Sequence, residues 1–543
     1  MAVYYIDFSA TFNGNGSAPT QAASGGAAGA YNVSPTLTAG NTYRYKRGTT
    51  YTEASPASSS PILALNLTAT AAAPTVIEAY YNDDGTDDET QPRPVIDHNG
   101  GGNGQACVRL TGCQYVIVRN IAGTNSILSG GSAVRVRNSS DVTVSGCLGY
   151  VNTVGISVVQ DTSAATMSRI TISDNEVYGN VCGILYTWMD SAGSYIDDLT
   201  IDGNVVRDND LTPGINRYGG IQHGASNSST TVTNSDRGVR GIAITNNEVY
   251  GNRGYALTTY GARSSSTRPS RIASNHVYGN NPLGLVDAHA IWVGASSNTI
   301  VEDNRVHGNT GLANGTSGSQ VGIFMDFNSV NTAIVGASNI VRRNIVYDGW
   351  MGPSQVTSGA GAGIYLLNQT GCLVESNVIH GCATGINIDR DTPAAPAHVI
   401  RNNTIFDITG FNSLTGVGIL VNVGNNHTIY NNIISGCSLS GLFVNSALTG
   451  VTESYNCIYD SSVPYVVSAA FTTLTPGVMA ASDLTDDPLI DERLGYLLAG
   501  SPLIGNGWHS GYRTDATRRV MRHNPPSIGA YEYVRARPTR TLP

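Results

Sequence analysis

Hydrophobic positions along this chain recur in short β-type runs, with no 3.6-residue helical period. From residue 170 onward one phrase repeats: an apolar β-branched run, a central Asn, then Val-Tyr-Gly-Asn or a variant of it. It reads ITISDNEVYGN (170–180), AITNNEVYGN (243–252), IASNHVYGN (272–280) and VEDNRVHGN (301–309), with weaker copies further on. The central Asn is residue 175, 204, 247, 275, 304, 344, 377, 403, 432 and 456, at intervals of 24 to 43 residues. Three residues before it stand Ile172, Ile201, Ile244, Ile272, Val301, Val341, Val374, Ile400 and Ile429; two after it stand Val177, Val206, Val249, Val277, Val306, Val346, Ile379, Ile405, Ile434 and Ile458. Columns of β-branched residues predict strands. A unit of 24 to 29 residues, lengthened in places by an inserted loop, predicts one coil of a parallel β-solenoid. The repeated Asn is expected to bond the Asn of the next coil and satisfy a buried corner.

A second strand follows each phrase, usually opening with Gly: GISVV (155), GILYT (183), GIQHG (220), GIFMD (322), GIYLL (363), GINID (385), GILVN (418) and GLFVN (441). Its third position after the Gly reads Val158, Tyr186, His223, Leu257, Val293, Met325, Leu366, Ile388, Val421 and Val444, an inward column. Side chains alternate along a strand, so the second and fourth positions face out. The second supplies Trp292, Phe324, Tyr365 and Asn387, and the fourth Gly294, Asp326, Leu367, Asp389 and Asn422. This predicts an exposed ladder of aromatic rings beside carboxylates, with Arg390 and Asp391 just beyond. Flat apolar faces suit sugar rings, while Arg and Asp suit hydroxyl and acidic groups. Asp326 and Asp389 are two coils apart, about 9.5 Å at the backbone, near the ~6.5–9.5 Å carboxyl separation of inverting glycosidases. The candidate catalytic residues are therefore Asp326, Asp389 and Asp391. Trp292, Phe324, Tyr365 and Arg390 are candidate sugar contacts, joined by Asp287 and His289 as a base and its orienting partner for lyase chemistry.

Composition narrows the class. The chain has 543 residues, 41% hydrophobic but only 13% charged, with 63 Gly, and 28 Tyr against 8 Phe. That is an all-β, turn-rich composition. A net charge of −9 and the absence of any long basic run argue against nucleic acid as the main partner. No apolar stretch suits a membrane span, and the first twelve residues carry Asp7 where a signal peptide would be apolar. Eight cysteines fit no zinc spacing and are expected as reduced core thiols. No cofactor or metal is expected. The acidic loop Asp83, Asp84, Asp87, Asp88 and Glu89 lacks regular cation-loop spacing and reads as a solvated turn. His307 and His380 replace Tyr in the column three residues after the Asn, as aromatic surrogates; His223 reads as a hydrogen-bonded core histidine.

With these repeats the chain resembles the right-handed parallel β-helix proteins of pectate-lyase type, over about residues 35–534. GNTYRYKRGTTY (40–51) and VIEAYYNDDGTDDETQPRPVID (76–97) look like the opening coils of such helices, and DPLID, YLLAGSPLIGNG and IGAYEY (487–533) are similar to their closing segments. The resemblance implies an all-β, single-stranded right-handed parallel β-helix with short capping segments. The expected division is a 1–34 attachment segment, the helix at 35–480, a closing segment at 481–534 and a basic tail at 535–543. The fold hosts many activities. The leading expectation is a phage tailspike-like virion protein, a homotrimer that binds a bacterial surface polysaccharide and whose carboxylates allow its depolymerisation. The 1–34 segment then contacts other tail proteins, and the protein leaves the cell without a cleaved signal peptide. Alternatives are a free bacterial polysaccharide lyase or glycoside hydrolase, and a non-catalytic structural fibre.

Overall fold

The computed structural model describes residues 1–10, 15–19, 36–52, 62–82, 84–100, 105–161, 166–188, 195–209, 218–223, 238–262, 264–280, 289–309, 321–326, 336–349, 361–389, 397–410, 415–469, 474–491, 493–509, 515–518 and 525–533. These residues form strands and turns, with no helix among them. The chain divides into two compact units, Met1–Arg271 and Ile272–Pro543.

In the first unit each coil contributes three strands, as in Ala106–Thr111, Gln114–Arg119 and Ala122–Thr124. Each strand pairs in parallel with its counterpart one coil away. Val108, Val134, Ile156, Ile184 and Ile221 thus stand in one row. Leu257 pairs with Ile221 across a register irregularity, so it belongs to this row and not, as the glycine indexing suggested, to the row of His223. The solenoid begins earlier than expected: Val3–Ile6, inside the segment assigned to attachment, pairs in parallel with Thr42–Lys46. Buried Asp7 anchors that junction by accepting from Lys46 Nζ at 3.2 Å.

The second unit repeats the plan, with Ile291, Ile323, Ile364, Ile386, Ile419 and Leu442 in one row. The β-branched columns on either side of the Asn are buried throughout, from Ile272, Val277 and Val301 to Ile429 and Ile434. Each such side chain stabilises the stack by about 1.5–3 kcal/mol through loss of apolar surface to water.

Corners are set by backbone chemistry. The residue before each ladder Asn turns left-handed, with φ between 53° and 59° from Ser274 to Tyr455. Each Asn Oδ1 then accepts from the backbone N–H of the Asn one coil back. Asn275, Asn304, Asn344, Asn377, Asn403, Asn432 and Asn456 form one such chain at 3.0–3.1 Å. The final Asn of the phrase builds a second ladder, Asn152–Asn180–Asn209–Asn252 in the first unit. In the second unit this ladder stops after Asn280–Asn309, and later coils place Cys382, Ile408 and Cys437 at the corner. Without an Asn turn the strand runs on through the corner, giving the 13-residue strand Ile433–Asn445. All eight cysteines are buried free thiols, as expected.

Candidate functional site

Strand register delivers the columns the sequence anticipated. Trp292, Phe324, Tyr365 and Asn387 pair in succession, as do Gly294, Asp326, Leu367 and Asp389. Exposure does not follow. Phe324 and Tyr365 are each only 7% exposed, and Asn387 is fully buried. The rings stack at 5.2 Å and pack with Val321 and Ala362, flanked by Trp292 and Leu367. His289 is buried too, with its ring 4.3 Å from Phe324 and 6.3 Å from Trp292. This corrects the expected open platform: aromatic surface beside small aliphatic neighbours closes over itself instead of remaining in water. The Tyr365 hydroxyl donates to Asp389 Oδ2 at 3.0 Å, so Asp389 anchors the cluster. Asp326 shares the column with Asp389, but Leu367 stands between them. Asp287, Arg390 and Asp391 lie outside the described residues.

A second aromatic column, dismissed above as structural, runs three residues after the ladder Asn. In the second unit Tyr278, His307, Tyr347, His380 and Phe406 stack in sequence at centroid distances of 5.4, 4.6, 5.1 and 4.7 Å. Burial, with the charges of His276 and Arg305, pushes the His307 imidazole down to about 4, so the stacked ring is neutral at pH 7. The next coil breaks the run: Phe406 pairs with Ser435, and Ser435 with Tyr459. The corner residue beside each is Asp407, Gly436 and Asp460, all left-handed with φ of 53°, 62° and 48°. One coil therefore offers Ser-Gly where its neighbours offer Phe-Asp and Tyr-Asp.

A groove of about 1030 Å³ opens at this recess. Its floor is Phe406, Ser435 and Tyr459, one wall is Asp407, Asp460, Ser438, Ser461 and Ser462, and the other is Pro488, Leu489, Ile490 and Leu498 of the closing segment. Asp407 and Asp460 are exposed. Leu489 and Leu498 are 38% and 47% exposed, so the second wall is an apolar surface facing water. Leu489 holds φ of 46°, a conformation rare for a branched side chain. Its N–H bonds Asp487 Oδ1 at 2.9 Å, and its carbonyl accepts from Leu498 N at 2.7 Å. The hydroxyl wall is fixed by Gly410 N–H donating to Ser438 Oγ at 2.8 Å and Ser462 Oγ donating to the Ser438 carbonyl at 2.8 Å. Hydroxyls and carboxylates opposite an apolar wall match a sugar, which has polar edges and apolar C–H faces.

The closing segment makes the second wall by folding back on the coils. Ala530 and Tyr531 pack on Val378 and Phe406, and Leu497, Leu503 and Ile528 pack on Ile433 and Cys457. Sequence reasoning missed the groove, although one signal marked it. The position just after the ladder Asn is charged or polar in the coils of Glu176, Glu248, His276 and Arg305, with Val205 the exception between the first two, then becomes Ile345, Val378, Thr404, Ile433 and Cys457. Outward apolar residues in most of these later coils require a cover, and the hydroxyl of Thr404 among them accepts from Ala530 N–H of the closing segment at 2.9 Å.

The other singled-out residues are structural. His223 stacks on Tyr260 at 5.7 Å, and burial pushes it down to about 3, keeping it neutral. Asp87 pairs with Arg47, while Asp84 and Asp88 accept from Thr86 and Thr90 in local turns. Among the described residues no three His, Cys, Asp or Glu side chains are grouped to hold a metal ion, and no helix is long and apolar enough to cross a membrane.

Comparison with known proteins places the fold. The family described as right handed beta helix region matches residues 336–474. The fold is a right-handed parallel β-helix. No curated protein matches the chain by sequence. Among solved structures, pectate lyase Pel9A is 14% identical with a TM-score of 0.39, over 98% of this chain and 96% of its own. The GH136 lacto-N-biosidase from Eubacterium ramulus is 13% identical with a TM-score of 0.41, over 86% of this chain and 67% of its own. XylC in complex with xylose is 10% identical with a TM-score of 0.43, over 98% of both chains.

Proposed function

We propose that the chain binds a polysaccharide in the groove beside Ser435 and hydrolyses it, as a tailspike-like protein of a phage virion acting on a bacterial surface polysaccharide. The observation that carries this reading is the recess at Ser435 and Gly436, flanked by Phe406–Asp407 on one coil and Tyr459–Asp460 on the other. Asp407 and Asp460 are two coils apart, about 9.5 Å at the backbone. That spacing leaves room for a water beside the scissile bond, as in inverting hydrolysis. One carboxyl protonates the leaving oxygen, while the other takes a proton from water attacking the opposite face of the sugar. Tyr459 and the leucines of the closing segment supply apolar surface for the ring. In the same reading residues 1–34 attach to other tail proteins and three chains associate.

The test incubates the purified chain with a panel of bacterial surface polysaccharides and follows reducing ends together with absorbance of unsaturated uronides. New reducing ends without that absorbance are expected, and Asp407→Asn and Asp460→Asn should each abolish them. Unsaturated uronides, or undiminished cleavage by both variants, overturns hydrolysis in this groove.

A further inference from the structure

The charge of this protein is unevenly spread along the chain. Residues 402–491 hold seven Asp or Glu and no Lys or Arg, while the rest is near balance, with 30 basic against 32 acidic residues. This stretch supplies the coils of the groove and most of its apolar wall. Among the described residues the lining includes Asp407, Asp460 and Asp487, and no Arg, Lys or His. Asp487 has no part in the hydrolysis proposed above. It is exposed, and its Oδ1 accepts from Leu489 N–H at 2.9 Å, fixing the left-handed turn of the wall. Cys457 Sγ donates to the Asp486 carbonyl at 3.4 Å, which ties this turn to the coil of Tyr459 and Asp460. Burial, and then the charges of Asp486, Asp487 and Asp483, pushes the Cys457 thiol up to about 12. The coils before the groove bring no cation to offset this field. Asp348 holds the corner two coils before Asp407, with Gly381 between. The His380 ring stacks on Phe406, and burial lowers its pKa, so it is neutral at pH 7.

Taking the groove as the polysaccharide site of the proposed function, on which this step rests, we propose that its substrate is a cationic amino-sugar polymer. Its hexosamine residues keep free ammonium groups, and Asp487 is the residue that selects for them. A groove with one apolar wall focuses the field of its carboxylates on whatever enters. A uronate or sulfate there would meet three like charges with no cation to offset them, and like charges set against each other reject a partner. A neutral sugar would gain hydroxyl bonds alone. An ammonium adds N–H bonds to carboxylate, which are roughly twice as strong as bonds between neutral groups. Asp407 and Asp460 act on the leaving oxygen and the water, which leaves Asp487 to take the ammonium. Ser438, Ser461 and Ser462 remain for the sugar hydroxyls. The three carboxylates are not grouped to hold a metal ion, which favours an organic cation.

The experiment titrates the full chain by calorimetry with an oligoglucosamine, its N-acetylated form and an oligoglucuronate of equal length. At about pH 6 exposed aspartates are ionised and an aliphatic amine is protonated. The oligoglucosamine should bind at least about tenfold more tightly than its N-acetylated form, by a margin that shrinks as salt is raised, and the oligoglucuronate should not bind. Asp487→Asn should cut that preference to about threefold or less. Its Tm should be unchanged, because Asn keeps the acceptor for Leu489 N–H and loses only the charge. Ser435→Tyr should abolish binding. Tighter binding of the N-acetylated or glucuronate oligomer, lost in Ser435→Tyr, overturns the amino-sugar proposal and leaves the groove as a sugar site. Oligoglucosamine binding that survives both variants is general attraction to an acidic surface and overturns it too. So does oligoglucuronate binding that appears with calcium chloride and vanishes with EDTA, since the carboxylates then hold a metal. No binding by any of the three also overturns it, while cleavage of the polysaccharide panel still judges the groove itself.

Discussion

Two outward faces of the unit Ile272–Pro543 carry columns of aromatic rings, and they end differently. On the glycine-opened strands Trp292, Phe324 and Tyr365 close on His289, Val321 and Ala362, and the last ring hands its hydroxyl to Asp389. On the strands after the ladder Asn, five rings stack from Tyr278 to Phe406, and then Ser435 leaves a gap beside the groove. A parallel stack makes aromatic ladders wherever one position repeats an aromatic, because equivalent side chains meet at about 4.8 Å. A ladder by itself therefore reports stability. An interruption, with a cover built over the neighbouring column, leaves room for a ligand.

The sharpest way to break this comparison is to remove carboxylates from each face in turn. Asp407→Asn and Asp460→Asn are expected to lower kcat on the cleaved polysaccharide at least a thousandfold, about 4 kcal/mol of barrier, with Tm unchanged because both side chains are exposed. Asp326→Asn and Asp389→Asn should leave kcat within a few-fold. The reverse ranking would move the site back to the closed cluster. Truncating a ring there tests the other half. Phe324→Ala empties a buried position and should cost roughly 3–5 kcal/mol in urea unfolding, with binding to the groove intact in the folded fraction. A cost under about 1 kcal/mol would mean that the cluster is not the packed unit described.

The repeats made the fold legible because parallel register puts one chemistry at one position, coil after coil. The Asn ladder, the Val and Ile columns and the pairing of Trp292 with Phe324 and Tyr365 were all readable from spacing. What spacing could not supply was burial. Alternation assigns Phe324 to the outside of the strand, but only its packing with Val321 and Ala362 shows that outside is not solvent. The groove was harder still, since one wall comes from residues 487–498, which belong to no repeat. Its traces were the Ser-Gly between Phe-Asp and Tyr-Asp, and the apolar turn taken by the column of Val378, Ile433 and Cys457.

A smaller effect separates the two faces through pH. At the last coil Glu453 takes the place of Ile429 in the inward column, and Asp483 takes the place of the next ladder Asn, accepting from Asn456 N–H at 2.8 Å. Burial and Glu453 push the Asp483 carboxyl up from 3.8 to about 8. A folded-state value above the unfolded one means that the folded chain holds a proton the unfolded chain releases. The pair's contribution is therefore full below about pH 4 and gone above about pH 8. Residue 484 continues directly toward the groove wall, and its N–H bonds the Asn456 carbonyl at 2.8 Å. Raising the pH from 5 to 9 should lower Tm and weaken polysaccharide binding, while Trp292 fluorescence from the closed cluster stays constant. Asp483→Asn should flatten the Tm profile. An unchanged slope in that variant would place the titrating group elsewhere.

The finest test converts one face into the other. Ser435→Tyr puts a ring between Phe406 and Tyr459, where the column lacks one. Stacks in this column run at 4.6–5.4 Å, and a ring on the intervening coil meets both neighbours at about that spacing. An added aromatic pair contributes about 0.5–1.5 kcal/mol, so the variant should be more stable than the unaltered chain by about that amount in urea unfolding. It should also lose polysaccharide binding, because the new ring fills the recess. A gain in stability with binding retained would mean that the sugar does not enter between Phe406 and Tyr459. A loss of stability would mean that the gap at Ser435 is required by packing rather than kept open for a ligand. Only the combination of a firmer solenoid and an empty-handed groove makes the interrupted ladder the feature that separates a binding face from a structural one.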